Sequence, residues 1–447
     1  MKRTVITLLA FALFMTGINA QVTEQVSWRS FTQPRDSLKV DSLYAFWNTY
    51  VQYHPKDENA WRNLFEVEQA KEYHQRFWKK GDRQTAEELR KQLNVVGRMK
   101  QAIPGTYTYY YCAYVSSDAR SKADADSAVS LLPKDAPAED YELWASCLND
   151  RKDSLLLAKV LTLYYESGQY PASALQYDYN ELQGMEKGGV YLGYSKGNIM
   201  GKLILQYALG VHKDKILCYQ GTSKEYVKEM FESIGIPSSD EIYKQLRSSL
   251  MKDGTAIMRY IFEHSKRPVY LSASNRLLFG MPDDLKACLY NEGLTMRYSA
   301  KPYNNGAVKR RNVEQRYLMD YLVLQFHPEV KSFEPAKSAL LLSYNYLILL
   351  HDLMPYYKKH NMEQYARLNR VFTGIMKAIS NIVLQGDPDS DKYYSILYSE
   401  DGGPHYEFVE RTRYESDPND DEATFKRKYD EFLKKNTRVL IKTEPIE

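Results

Sequence analysis

Four cysteines stand far apart in a chain of 447 residues, at positions 112, 147, 218 and 288, and none belongs to a CxxC pair. That scarcity excludes a disulfide scaffold and a cysteine-built zinc or redox motif. Each cysteine sits among apolar or aromatic neighbours, where a thiol behaves as a small hydrophobe. Buried thiols are therefore expected, with Cys112–Cys147 as the one pair worth testing as a bridge. Charge of one sign is also lacking: 60 Lys and Arg face 57 Asp and Glu, so no global field favours nucleic acid. The densest basic cluster, Lys309-Arg310-Arg311, reads as a solvated surface at a helix start.

Long apolar runs are missing beyond the first twenty residues. The best candidate, SALLLSYNYLILLHDLM, is interrupted by Ser343, Asn345, His351 and Asp352 and reads as a buried helix, so no transmembrane segment is expected in the mature chain. Signatures of catalysis are absent too. There is no GxSxG, the eight histidines form no HExxH pair, and His351 and His360 do not share a ligand-spaced face. Asp387, Asp389 and Asp391 begin like a calcium loop, but the sixth-position glycine is missing and Tyr398 stands where a glutamate is needed. No metal, cofactor or catalytic residue is assigned.

The N-terminus does carry a signal. Lys2 and Arg3 precede an apolar core from Val5 to Met15, and Ile18-Asn19-Ala20 offers a small-residue exit. This is the pattern of a secretory signal peptide cleaved after Ala20, so export to the periplasm is expected. No cysteine follows the apolar core to take a lipid anchor.

From residue 21 to 180 the pattern is helical. Leu43, Phe46, Trp47 and Tyr50 recur at helical spacing. Asp57 or Asn59 is placed to cap a helix carrying Trp61, Leu64 and Phe65. The same grammar returns at Pro133-Lys134-Asp135, followed by Trp144. Between them, Pro104-Gly105 leads into a helix crowded with Tyr107, Tyr109, Tyr110, Tyr111 and Tyr114, part of a total of 39 tyrosines. Packing between helices is their expected role. Pro104, Pro133 and Pro171 recur at intervals bracketing the helix-turn-helix repeat of roughly 34 residues. Trp61 with Leu64, and Trp144 with Ala158 and Pro171, resemble the tetratricopeptide repeat, though Phe65 and Leu148 stand where that family has glycine.

After Glu181 the period changes. Apolar runs at Val190–Leu192, Lys215–Tyr219, Pro268–Leu271 and Thr295–Tyr298 read as strands. Met200–Leu209, Lys224–Ile234, Asp240–His264 and Asp283–Asn291 read as the helices between them. Such alternation predicts βαβ units and a mostly parallel sheet. Helices return near Val313, and Tyr365, Leu368, Phe372, Ile375, Ile379 and Ile382 mark one apolar face of a later helix. The expected organisation is a signal peptide (1–20), a tetratricopeptide-like helical domain (21–180), an α/β domain (181–305), a helical domain (306–385) and a polar tail with a charged helix (386–447). The fold class is thus mainly α with a central α/β domain, helical repeats flanking a small sheet.

Three segments of the middle carry a family likeness: Gly210-Val211-His212-Lys213-Asp214, Arg267-Pro268-Val269-Tyr270-Leu271 and Glu292-Gly293-Leu294-Thr295-Met296-Arg297. Through them, roughly Gly188 to Pro302 resembles the soluble extracytoplasmic region of the bacterial membrane proteins catalogued as glycosyltransferase family 117, which are protein O-mannosyltransferase-like. The acidic turn of that family is replaced here by Tyr194-Ser195-Lys196-Gly197-Asn198, which has no carboxylate, and its membrane spans are absent. What the resemblance implies is a fold and an envelope setting, not a transferase activity.

Gly188–Lys202 also has the outline of a phosphate loop. Gly197-Asn198-Ile199-Met200-Gly201-Lys202 is one residue short of GxxxxGK, and Leu203 replaces the magnesium-binding hydroxyl. A broader ligand site remains open. In parallel sheets ligands collect at strand carboxyl ends, where this chain has Ser195, Lys196, Gly197 and Asn198, then Thr222 and Ser223, then Ser274 and Asn275. The bland alternative is that these residues cap helices. The expected function is that of an exported, non-catalytic interaction or scaffold protein whose partner is another envelope protein. The alternative is a glycan- or anionic-ligand-handling enzyme or transferase accessory.

Overall fold

The structure is a computed structural model. It describes residues 25–384 except 33, 78–82, 118–119, 251–253, 274–280, 326–341 and 344, and beyond 384 only 397–398, 404–405, 424, 427–428 and 431. Residues 1–20, expected to be a signal peptide, Ser274, Asn275, the calcium-like aspartates and nearly all of the polar tail lie outside the described residues. The chain divides into two compact units, with the division between Ala136 and Pro137. The helices after Ala136 therefore belong with the sheet rather than with the helices before them.

The first unit is helical. Its elements are α1 (Ser37–Tyr53), α2 (Glu58–Phe77), α3 (Arg83–Leu93), α4 (Val95–Ala102), α5 (Tyr107–Ser116) and α6 (Lys122–Ser130). Consecutive helices pack together, α1 on α2, α2 on α3 and α5 on α6. Asp57 starts α2 by accepting from the Ala60 amide at 3.0 Å, and Thr106 starts α5 by accepting from the Tyr109 amide at 3.3 Å. Both are N-caps of the kind that satisfies otherwise orphaned helix amides. Trp47, Trp61, Leu64, Phe65, Tyr111 and Tyr114 are buried, so the aromatic crowding at 107–114 fills space between helices.

The second unit starts with α7 (Ala138–Asp150), α8 (Ser154–Glu166) and α9 (Ala172–Gly184). A sheet follows, made of β1 (Val190–Gly193), β2 (Ile216–Tyr219), β3 (Val269–Ser272), β4 (Leu289–Asn291) and β5 (Thr295–Tyr298) in the order β2-β1-β3-β5-β4. β1 runs parallel to both β2 and β3, whereas β5 is antiparallel to β3 and β4. The sheet is therefore mixed, parallel only in its first three strands. Between the parallel strands lie α10 (Met200–Tyr207), α11 (Lys224–Ile234), α12 (Asp240–Leu250) and α13 (Ala256–His264).

Two expected helices are corrected. Asp240–His264 is two helices rather than one. Asp283–Asn291 is helical only over Asp283–Lys286 (α14), and Leu289–Asn291 is a strand. The cause of the second lies just downstream. Gly293 adopts φ +130, and its amide donates to Asn291 Oδ1 at 2.9 Å, a reversal that folds β4 back onto β5.

β1 separates two environments by simple alternation. Val190 and Leu192 join Cys218, Val269, Leu271 and Met296 in a core closed by Val227, Phe231, Ile257 and Ile261 from the crossover helices. Tyr191 belongs to the other face, where the interior is polar. The chain then continues through α15 (Asn305–Arg311), a π-helical turn, α16 (Asp320–Gln325), α17 (Tyr346–His360) and α18 (Met362–Leu384). Leu368, Val371 and Ile375 of α18 pack against Leu347, Leu350 and Leu353 of α17 in a second core. The side chains of Ile379 and Ile382 lie outside the described residues. Lys309 departs from its expected role: it lies in the last turn of α15, is buried, and is ion-paired with Asp352. Among the described residues no helix is long and apolar enough to cross a membrane.

Candidate functional site

Because β1, β2 and β3 are parallel, their carboxyl ends open onto one edge. The turn after β1 is locally self-sufficient: the Ser195 amide and hydroxyl both donate to Asn198 Oδ1, at 3.0 and 3.2 Å. After β2, Ser223 accepts from the Tyr226 amide at 3.3 Å and caps α11. Gly197 and Thr222 are exposed, and the Thr222 carbonyl accepts from the Tyr243 hydroxyl at 2.9 Å. Among these residues Ser195, Asn198 and Ser223 serve the turns they sit in.

Lys196 and Ser223 additionally reach a shared cleft of about 510 Å³. It lies along the outer side of the edge strand β2, between the α7–α8 turn and α11, and Leu217, Cys218, Tyr219, Tyr226, Glu229 and Met230 contribute to its walls. Lys196 forms an ion pair with Asp150, and its ammonium lies 5.6 Å from the centre of the Tyr219 ring. Lys152 pairs with Glu229 at 3.2 Å. Tyr226 stacks on Tyr219 with ring centres 4.3 Å apart, so the two rings form one aromatic stretch of the cleft wall beside Lys196. The Tyr219 hydroxyl donates to Asp150 at 3.3 Å, and burial together with that carboxylate raises its pKa.

Tyr226 also guards the open edge of the sheet. Ile216 and Gln220 donate inward to Gly189 and Gly193, so in the strand alternation Leu217 and Tyr219 face outward. The Tyr226 hydroxyl donates to the Tyr219 carbonyl and accepts from its amide, both at 2.9 Å. One phenol thus occupies the hydrogen-bonding positions an added strand would use. Gly221 makes room for it, since a Cβ there would overlap the Tyr226 ring. Cys218 is buried, and its thiol pKa is pushed up to about 12 by burial, far from the range of a nucleophile.

Lys202, the lysine of the phosphate-loop-like stretch, points the other way. It is 1% exposed and paired with Asp178 and Glu181 of α9. Its ammonium lies 4.4 Å from the Tyr191 ring centre and donates to the Asn198 carbonyl at 3.1 Å. Tyr170 donates to Asp178 at 2.7 Å and Tyr191 to Glu181 at 3.2 Å. Burial lowers the pKa of Lys202, but Asp178 and Glu181 more than offset this and hold the ammonium charged. Burial raises the pKa of Glu181, and the ammonium counters part of that rise. Gly201 is required by this packing, because a Cβ there would overlap the Asp178 carboxylate and the Tyr170 hydroxyl. Both the glycine and the lysine of GK are therefore committed to the interior, out of reach of a phosphate.

Sequence reasoning missed Asp150, Lys152, Tyr226 and Glu229. Asp150 and Lys152 come from a turn 46 residues before Lys196, and nothing in the local pattern brings them to the sheet. Among the described residues no group of three or more His, Cys, Asp or Glu is gathered as a metal site, and no disulfide joins the four cysteines. No protein-family model, curated protein or solved structure matches this chain.

Proposed function

We propose that this is an exported, non-catalytic interaction protein of the bacterial cell envelope, acting in the periplasm after removal of residues 1–20. The observation that carries this reading is the chemical state of the cleft beside β2. Both of its lysines are ion-paired and its thiol is held protonated, so it offers a partner paired charges and aromatic surface rather than a reactive thiol. Two further features support the reading. The paired helices of the first unit are the kind of element from which repeat proteins build binding surfaces, and the likeness to the soluble region of glycosyltransferase family 117 favours an envelope setting. The second reading, a glycan- or anionic-ligand-handling enzyme or transferase accessory, draws on the gathering of polar loops at the parallel strand ends.

One pair of measurements separates them. On the interaction reading, crosslinking in envelope fractions recovers a specific protein partner whose yield falls with Glu229→Lys. A thermal-shift screen of nucleotides, sugar phosphates and oligosaccharides then leaves the melting temperature unchanged. A ligand from that panel that raises the melting temperature, and loses its effect in Lys196→Ala, would replace the interaction reading with the second one.

A further inference from the structure

Helix α2 buries four polar side chains: Asn63, Glu66, Glu68 and His74. Three of them hold the backbone of one short segment. The Val26 amide donates to Asn63 Oδ1 at 2.8 Å, the Trp28 amide to Glu66 Oε2 at 3.2 Å, and His74 Nε2 donates to the Phe31 carbonyl at 2.6 Å. Arg62 fixes the Glu66 carboxylate at 3.2 Å. Two side chains of the segment anchor it. Phe31 is buried, and Trp28 lies against Tyr73 with ring centres 5.8 Å apart.

Bonds to backbone amides and carbonyls are available to any chain in the same conformation, so they set direction and register while side-chain anchors set identity. The seat is also larger than its occupant. Beside Trp28 a cleft of about 420 Å³ is lined by Gln69, Tyr73, Arg76, Phe77 and Arg90. The buried Gln69 amide nitrogen has no hydrogen-bond partner among the described residues, a donor that a longer or differently placed chain could satisfy.

Within the segment Trp28–Phe31 forms a 3-10 turn. We propose that this face of α2 is a peptide-binding groove, that residues 26–31 are its resident occupant, and that its partner is a protein segment that adopts the same turn and carries two aromatic residues three positions apart. The groove belongs to the first unit and shares no residue with the cleft beside β2, so the two stand or fall separately. Occupancy by the chain's own segment reduces the apparent affinity for a partner by the fraction of molecules with the groove open.

The test is fluorescence anisotropy with a labelled synthetic peptide of residues 25–32 (QVSWRSFT). The full-length mature chain carrying Trp28→Ala and Phe31→Ala binds it at least about ten-fold more tightly than the wild type does, and a peptide with both aromatics replaced by alanine does not bind. Absence of binding to the folded variant, or equal binding to variant and wild type, overturns the proposal. Should the variant fail to fold, trypsin cleavage after Arg29 of the wild-type chain gives the answer. Excess peptide displaces the segment and speeds that cut; an unchanged rate overturns the proposal.

Discussion

Helices α2 and α9 both bury polar side chains, and they do so for opposite ends. On α9, Asp178, Asn180 and Glu181 meet partners fixed elsewhere in the fold. Asp178 and Glu181 hold Lys202, while Asn180 donates to the Leu318 carbonyl at 2.7 Å and to the Tyr346 hydroxyl at 2.9 Å. On α2, Asn63, Glu66 and His74 meet the backbone of a short segment, and Glu68 Oε2 and Gln69 Nε2 have no partner among the described residues. A buried network in which charges and amides answer one another rigidifies and specifies a core. One that addresses backbone and leaves atoms over is suited to an exchangeable chain.

Breaking the α9 network should have the largest effect. Lys202→Met leaves two buried carboxylates without their cation and should lower the unfolding free energy by about 3–5 kcal/mol. Adding Asp178→Asn and Glu181→Gln should recover most of it in a denaturant titration. A neutral Lys202→Met would show that the carboxylates find other partners.

Glu68 offers a pH test of the α2 side. Its pKa is raised to about 8, chiefly by burial and in part by the nearby Glu72 carboxylate. A carboxyl that holds its proton more tightly when folded stabilises most below its unfolded pKa, and that contribution fades as pH rises through the folded value. Stability should fall between about pH 4.5 and pH 8, by at most about 5 kcal/mol, and Glu68→Gln should flatten the dependence. Thermal melts at stepped pH read this directly; a slope that Glu68→Gln leaves unchanged would assign it to another group.

Two smaller changes sharpen the contrast. Gly201→Ala pushes a methyl group against the Asp178 carboxylate and should cost about 1–3 kcal/mol. Tyr226→Phe deprives the Tyr219 amide and carbonyl of their shared partner and should cost roughly 1 kcal/mol. It also opens the β2 edge, so its readout should include light scattering for association through that edge.

The comparison also explains what could be read from residues alone. β1, β2, β3 and β5 are short apolar runs bounded by turns, and α2, α5 and α11 start where a capping side chain stands. Those signals are local. β4 was hidden because Leu289-Tyr290-Asn291 continues a helical start, and only the reversal at Gly293 makes it a strand. The Lys202 network joins a helix before β1 to a helix after it, so its members carry no common spacing. Ser195, Lys196, Asn198 and Ser223 were visible as polar loop residues, yet Asp150, which pairs with Lys196, was not. The segment at 26–31 is held through its backbone, and backbone contacts leave no mark in a sequence.

The difference between the two helices is tested most directly by native-state hydrogen exchange. The amides of Val26 and Trp28 should exchange through a local opening of much lower free energy than that protecting the amides of α9, and Lys202→Met should leave that local opening unchanged. Exchange at Val26 and Trp28 only through global unfolding of the first unit would make the segment a permanent part of its core and contradict the distinction.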